Sequence, residues 1–337
     1  MRPGAQGAVG AQGALVLIAV ASVGCSGVQN PLNPAGPQAS AMAWVTWLFL
    51  GICAVVYLLT MGALAWALVR QRQPSDDLPA TSRRLGVVIA GAAGVTVVTL
   101  VALTVTSVIA GRGLTSPPGP GAITVEVTGH QWWWDFEYQG TPHETVSSPN
   151  ELHIPVGVPV VIVAKSADVI HSFWVPNLHG KRDLTPGFAT RTWIQADTPG
   201  AYRGQCAEFC GHQHAHMAFL VVAEPMDQFR RWLEHQRRPA PQPAGDLQRR
   251  GHDLFVQGPC VMCHTIRGTM AGSRVGPELT HLVSRQTLAA GTLPMTRDHL
   301  ARWIANSQAI KPGNRMPPVP LDGNDLAALV AYLETLR

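Results

Sequence analysis

Hydrophobic and polar positions alternate at different periods along this chain, and the changes of period divide it into segments. An apolar run from Ala14 to Ala21 follows a single charge, Arg2, and leads through small residues to Cys25. That layout predicts an export signal over residues 1–25, with Cys25 as a candidate lipidated residue. Two longer uncharged runs follow, Met42 to Leu68 ending at Arg70 and Leu85 to Ala110 ending at Arg112. Each exceeds the roughly 20 residues that span a bilayer as a helix, so residues 42–112 are predicted to form a transmembrane helix hairpin. Arg70, Arg72, Arg83 and Arg84 crowd the short connection, which places that loop in the cytoplasm and both ends of the hairpin outside. Cys53, in mid-span, reads as an inert buried thiol.

After a Pro/Gly break at Ser116 to Gly121 the period shortens to two. Ile123 to Thr128, Glu151 to Ile154, Val160 to Val163 and Phe219 to Val222 are rich in β-branched and apolar residues, with turn residues between them. Residues 120–225 are therefore predicted to form a β-sandwich or barrel. Met226 to Arg238 has the pattern of a short amphipathic helix, and Arg238 to Gly245, with three prolines, reads as a semi-rigid linker, giving a connecting segment over 226–245. Helical periodicity then returns at Leu247 to Val256 and at Leu321 to Leu336, where Leu326, Leu329, Val330 and Leu333 share one face. Residues 246–337 fit a small all-α domain.

Composition refines this division. Hydrophobic residues make up 46% of the 337 and charged ones 14%, with the apolar excess gathered in the first third. Cutting after Pro120 and Pro225 gives Lys and Arg against Asp and Glu of 6 to 2, 5 to 10 and 14 to 9, hence net charges of +4, −5 and +5. A basic module tethered beside an acidic one is suited to docking on it, and reversing the surplus basic charges would then weaken that docking at low salt. No nucleic-acid-binding motif is present.

Four of the six cysteines fall in two tight pairs with histidine nearby, the pattern of metal or cofactor attachment more than of a disulfide framework. The segment Cys206-Ala-Glu-Phe-Cys210-Gly-His-Gln-His214-Ala-His-Met217 gathers two thiols, three imidazoles and a thioether, and His171 follows a strand-like run upstream. Soft sulfur favours Cu(I) and imidazole tolerates both copper oxidation states, so this set suits a copper pair that carries single electrons. A Cys206–Cys210 disulfide and a zinc site of Cys206, Cys210, His214 and His171 are the competing readings; zinc gives Met217 no role. His212 and His216 read as surface or supporting residues. Cys260-Val-Met-Cys263-His264 is the c-type haem attachment pattern, two thiols for thioether bonds and an axial histidine. Met316, in Asn314-Arg-Met-Pro-Pro318, resembles the methionine loop of class I cytochromes c, with Met270 and Met295 as rivals for the second axial position.

Three segments, Gly129-His-Gln-Trp-Trp-Trp134, Asp168-Val-Ile-His171-Ser-Phe-Trp-Val-Pro and the Cys206–Met217 run, resemble the signatures of cytochrome c oxidase subunit II. The appended cytochrome resembles that of caa-type haem-copper oxidases. This resemblance implies a multidomain chain: a two-helix transmembrane hairpin, a cupredoxin-like β-barrel and a small all-α cytochrome c domain. It implies a dinuclear copper centre (CuA) ligated by His171, Cys206, Cys210, His214, Met217 and the Glu208 carbonyl, with the Glu208 side chain reaching a magnesium ion shared with subunit I. It implies a covalent haem c on Cys260, Cys263 and His264 with Met316, and Trp132 as the residue through which electrons reach copper. The expected partners are oxidase subunit I, other oxidase subunits, the membrane and a cytochrome c or bc-complex donor, with the soluble domains on the periplasmic side of a bacterial cytoplasmic membrane. Oxygen chemistry would belong to subunit I, since no catalytic haem or copper–histidine site is visible here. The family's glutamate and tryptophan before the second transmembrane helix have no counterpart in Thr81-Ser-Arg-Arg84; Asp76 and Asp77 are the nearest carboxylates. A copper-delivery or thiol-redox protein with a tethered cytochrome is the alternative from another class.

Overall fold

The computed structural model describes residues 27–70, 78–115, 118–140 and 145–337. The export signal with Cys25, and Asp76 and Asp77, lie outside these described residues. The chain divides into two compact units, Ser40–Ser116 and the remainder. The first is built from α1 (Pro37–Val69) and α2 (Leu78–Thr115). Both are long and apolar enough to cross a membrane, and their large side chains, including Leu58, Trp66 and Val98, point outward. Thr46, Thr60, Thr96, Thr104 and Thr106 donate their hydroxyls to carbonyls one turn back, so these hydroxyls are satisfied without water. Cys53 is exposed on α1 and is not buried within the chain. On a helix that is apolar all round, mid-sequence position does not select an inward face.

In the second unit the alternating segments form ten strands: β1 (Ile123–His130), β2 (Trp133–Tyr138), β3 (Val146–Ser147), β4 (Glu151–Pro155), β5 (Val160–Ser166), β6 (His171–Trp174), β7 (Arg182–Leu184), β8 (Thr190–Ile194), β9 (Gly200–Cys206) and β10 (Ala218–Glu224). They make two five-stranded sheets, ordered β3-β2-β1-β5-β8 and β4-β10-β9-β6-β7. β1 and β5 pair in parallel, as do β4 and β10, and the other neighbours are antiparallel. The inner positions of β1, Val125 and Val127, meet Trp134, Phe136, Phe173 and Phe219 in one core, the expected outcome of period-two patterning on two facing sheets. This is the cupredoxin-like fold. The start of the described chain is stitched to it, Ala35, just before α1, donating to the Asn177 carbonyl and Ala39, in the first turn of α1, to that of Leu178.

Helix α3 (Met226–Gln236) closes one end of the sandwich through Phe229 and Trp232, the latter stacked on His153 with ring centroids 4.0 Å apart. The following Pro-rich segment is pinned and not loose: the Ala240 amide donates to Arg267, and Gln236 and Arg238 accept from Arg267 and His281. Proline removes amide donors, so the remaining amide of Ala240 and the Arg238 carbonyl hold the segment. The cytochrome part contains α4 (Asp246–Gln257), α5 (Arg297–Ala305), the single turn α6 (Ser307–Ile310) and α7 (Gly323–Leu333), with a small β11 (Thr287–Leu288) and β12 (Leu293–Pro294) ladder. Its separate core joins Phe255, Ile266, Leu300, Leu329 and Tyr332.

The two cores meet through polar contacts. Ala218 N donates to Ala290 O at 3.0 Å, Gln286 N to Glu151 Oε2 at 2.9 Å, and Arg274 pairs with Glu137 at 2.6 Å. Ala289 and Ala290 hold φ of 55° and 58°. That region costs alanine of order 1 kcal/mol, so surrounding contacts must enforce it.

Candidate functional site

The copper-type cluster forms where β6 and β9 end side by side. β9 ends at Cys206, Glu208 and Cys210 occupy the following turn, and Met217 returns the chain to β10. Phe173 pairs with Cys206 across β6 and β9, placing His171 beside the thiols. His171 and Met217 are fully buried, and Cys206 and Cys210 nearly so. Cys206 Sγ lies 3.7 Å from Cys210 Sγ, 3.9 Å from His171 Nδ1 and 3.1 Å from the Glu208 carbonyl. Cys210 Sγ lies 3.6 Å from His214 Nδ1 and 3.7 Å from Met217 Sδ. A disulfide requires about 2.05 Å, so the sulfurs are not joined, and the disulfide reading fails. Every residue expected at this centre is brought to it. His212 and His216 are exposed, His216 bonding Gln213.

Two features orient His171. Its Nε2 meets Asp168 Oδ1 at 2.8 Å. The Asp168 carboxylate accepts a hydrogen bond from the Nε2–H, which leaves the Nδ1 lone pair facing the sulfurs, a tautomer inferred from the network. Gly129 lies against the ring, where a Cβ would come within 2.8 Å of it. Burial alone would push the Asp168 carboxyl up, but hydrogen bonds from His171, Gln131 N and Val169 N outweigh it and hold the pKa at about 2. The hydrogen bond from Cys210, opposed by burial and aided by His171, pulls the Cys206 thiol well down, while the shared proton and burial push Cys210 up. One sulfur thus gives up its proton readily, as an incoming cation requires.

The donor set decides which metal fits. Two thiols, two imidazole nitrogens, a buried thioether and a carbonyl exceed what tetrahedral zinc uses, and the thioether has no place in a zinc shell. Soft sulfur with nitrogen suits copper, and six donors around a sulfur pair suit two ions.

A second constellation lines a cleft bordered by residues of both the β domain and the cytochrome part. Cys260, Cys263, His264 and Met316 all line it. Of the three methionines weighed for the second axial position, Met316 alone lines the cleft; Met270 is exposed and Met295 packs on the core. His264 Nδ1 donates to Pro277 O at 2.7 Å, which leaves Nε2 free for an axial bond. Burial pushes the His264 pKa down, favouring the neutral ligand form. Gly276 admits the ring, since a Cβ there would sit 2.8 Å from it. The residues present fit a covalent haem.

Trp132 joins the two sites. It lines the cleft, and its Nε1 donates to the carbonyl of Cys210 at 3.0 Å, beside Gln131 Nε2 at 2.8 Å. Its neighbour Trp133 stacks on His130 at 4.2 Å, and both line the same cleft. Sequence reasoning passed over Gln131, Lys311 and the supporting role of Asp168. The spacing of Asp168 to His171 offered a signal for the last; the others depend on contacts far apart in sequence.

Comparison with known proteins finds relatives for both the β domain and the cytochrome part. Residues 141–224 match the family described as cytochrome C oxidase subunit II, periplasmic domain, and residues 248–337 match cytochrome c. The chain therefore carries a cytochrome c oxidase subunit II periplasmic domain joined to a cytochrome c domain. Cytochrome c oxidase subunit 2 of Alkalihalophilus pseudofirmus is 38% identical over 220 residues, covering 65% of this chain and 63% of that one. The Bacillus subtilis protein of the same name is 29% identical over 227 residues, covering 64% and 63%. The chain thus spans a little under two thirds of each relative. Among solved structures, the periplasmic domain of subunit II of cytochrome oxidase from Bradyrhizobium japonicum is 29% identical with a TM-score of 0.33, covering 36% of this chain and 96% of that one.

Proposed function

We propose that this chain is subunit II of a respiratory haem-copper cytochrome c oxidase, accepting electrons at a covalent haem c and passing them through a dinuclear copper centre to the haem of subunit I, where oxygen is reduced. The carrying observation is the convergence of buried Cys206, Cys210, His171 and Met217 with half-buried His214 and the Glu208 carbonyl, with Trp132 bonded to that cluster and lining the cleft of Cys260, Cys263, His264 and Met316. Cys206 and Cys210 would hold two coppers through sulfur, and the other four groups would complete the coordination. When bound, the copper pair and the haem supply reversible one-electron carriers whose potentials their sulfur ligands tune.

The protein's own part is arrangement. Burial of the sulfurs excludes water, Asp168 holds His171 in the ligating tautomer, and Trp132 supplies an aromatic surface bonded directly to the Cys210 backbone. The Glu208 carboxylate, proposed to reach a magnesium ion shared with subunit I, here pairs with Lys181 at 2.9 Å, so a cation there would replace that partner. Helices α1 and α2 and the arginine-rich loop support anchoring in a bacterial cytoplasmic membrane with the β and cytochrome domains outside. A cytochrome c or bc complex is the proposed donor, and other oxidase subunits the remaining partners.

Metal and haem analysis of the purified full-length chain, with optical and EPR spectra, tests this. Two coppers sharing one unpaired electron and one covalent haem are expected. Zinc, a single copper, or haem removable by acidified solvent would overturn it.

A further inference from the structure

The methionine loop, residues 311–316, begins with a lysine that the proposed electron path does not use. Lys311 is 2% exposed, and its Nζ donates to Trp132 O at 2.8 Å and to Ala289 O at 3.1 Å. A buried ammonium is costly to desolvate, and a surface lysine would serve equally well if the loop needed only solubility. Its neighbours repeat the attachment. Pro312 O accepts from Gln213 Nε2 at 2.6 Å, within the loop that carries Cys210 and His214. Gly313 lies against the Trp132 ring and His212. At the far end Met316 is clipped to the cytochrome by Ser307 Oγ and Gln308 Nε2, which both donate to its carbonyl. One loop therefore grips the tryptophan at one end and presents the haem methionine at the other.

We infer that Lys311 is a positioning residue for electron transfer, a latch that fixes the methionine loop on the Trp132 backbone and so sets the separation of haem, tryptophan and copper cluster. This rests on the electron-transfer reading above. Lys311 touches neither cofactor ligand set through its side chain, and acts through Trp132.

The test uses the full-length, haem- and copper-loaded protein carrying Lys311→Met, which keeps an unbranched side chain one atom shorter and loses its donors. Electrons are injected at the haem by a photoexcited ruthenium complex, and copper reduction is followed optically. Transfer is expected to slow about tenfold or more, because displacement of the order of an ångström is costly for positioned reactants. The haem potential and copper EPR spectrum should stay those of the wild type. Lys311→Arg, which retains a cation and several donors, should recover most of the rate. Wild-type rates in Lys311→Met, or equal slowing in both variants, would overturn the proposal. Amide hydrogen exchange over residues 130–134 and 311–316 is read in the same samples and should rise in Lys311→Met; unchanged exchange would also overturn it. If wild-type protein passes no electron from haem to copper while exchange rises as expected, the electron-transfer reading fails and the latch stands.

Discussion

Single side chains in this protein are tuned by where the backbone buries them, and Asp135 is a case with a measurable consequence. It lies on β2, its carboxylate accepting from Ser147 Oγ at 2.6 Å. Burial pushes its pKa up to about 6 from 3.8, with Glu137 adding to the rise and Ser147, Arg274 and Arg285 opposing it. The folded state then holds a proton that the unfolded state has lost, between about pH 4 and pH 6. Stability falls as pH rises through that window, and the full penalty is present at pH 7. At 1.36 kcal/mol per unit the shift is worth about 3 kcal/mol, discounted to about 1–2 because the residue is partly exposed. Asp135→Asn keeps the acceptor for Ser147 and removes the charge. It should raise the melting temperature at pH 7 and leave it unchanged near pH 4; a variant less stable than wild type at pH 7 would refute this account. The chemistry of the copper and haem clusters was readable in the sequence because sulfur and imidazole crowd within a few consecutive positions, which little but a metal explains. The residues that orient them were not, because Lys311 stands 179 positions from Trp132 and only the folded chain brings them together.

Elements were readable to differing degrees, for physical reasons. The apolar runs of α1 and α2 leave a signal too long to mistake, β1 and β4 alternate polar and apolar residues, and β5 and β10 are short apolar, β-branched runs bounded by turn residues. β2 was hidden because three successive tryptophans mask any period, and Trp133 and Trp134 turn to opposite faces only once the strand forms. β9 carries arginine, glycine and glutamine, and takes its strand form from pairing with β10 and β6 and not from propensity. The crossing of α4 and α7 was equally silent, although it depends on one residue. At Gly251 a Cβ would come within 2.0 Å of Ala328 O and 2.8 Å of the Tyr332 Cβ. The obstacle is helix backbone, which cannot turn aside as a side chain can. Gly251→Ala gains helix propensity of up to about 1 kcal/mol, yet forces the helices apart at a cost of about 1–3 kcal/mol. A net loss of cytochrome-domain stability is expected, read by denaturant titration of the haem absorbance. A stabilised variant would show that the crossing relaxes freely.

At the scale of the whole second unit, the charge division between an acidic β domain and a basic cytochrome is realised in specific pairs. Arg274 meets Glu137 at 2.6 Å and Arg315 meets Asp168 at 3.5 Å, each cation from the cytochrome side and each carboxylate from the β domain. Arg274 and Arg315 are largely exposed, so such pairs contribute about 0.2–1 kcal/mol apiece and are screened by salt. The buried contacts, Lys311 on Trp132 and Gln213 on Pro312, are not open to screening in this way. The two sets therefore have different signatures. Arg274→Glu places like charges together and should slow haem-to-copper transfer a few-fold at low salt, with most of the difference erased at high salt. Adding Glu137→Arg restores an opposite-charge pair and should return the rate. The wild type, held by its buried contacts, should change little over the same range of ionic strength. Rates indifferent to both the reversal and the salt would mean that net charge has no part in holding the domains together, and that the docking seen as a global asymmetry in the sequence is carried by the buried contacts alone.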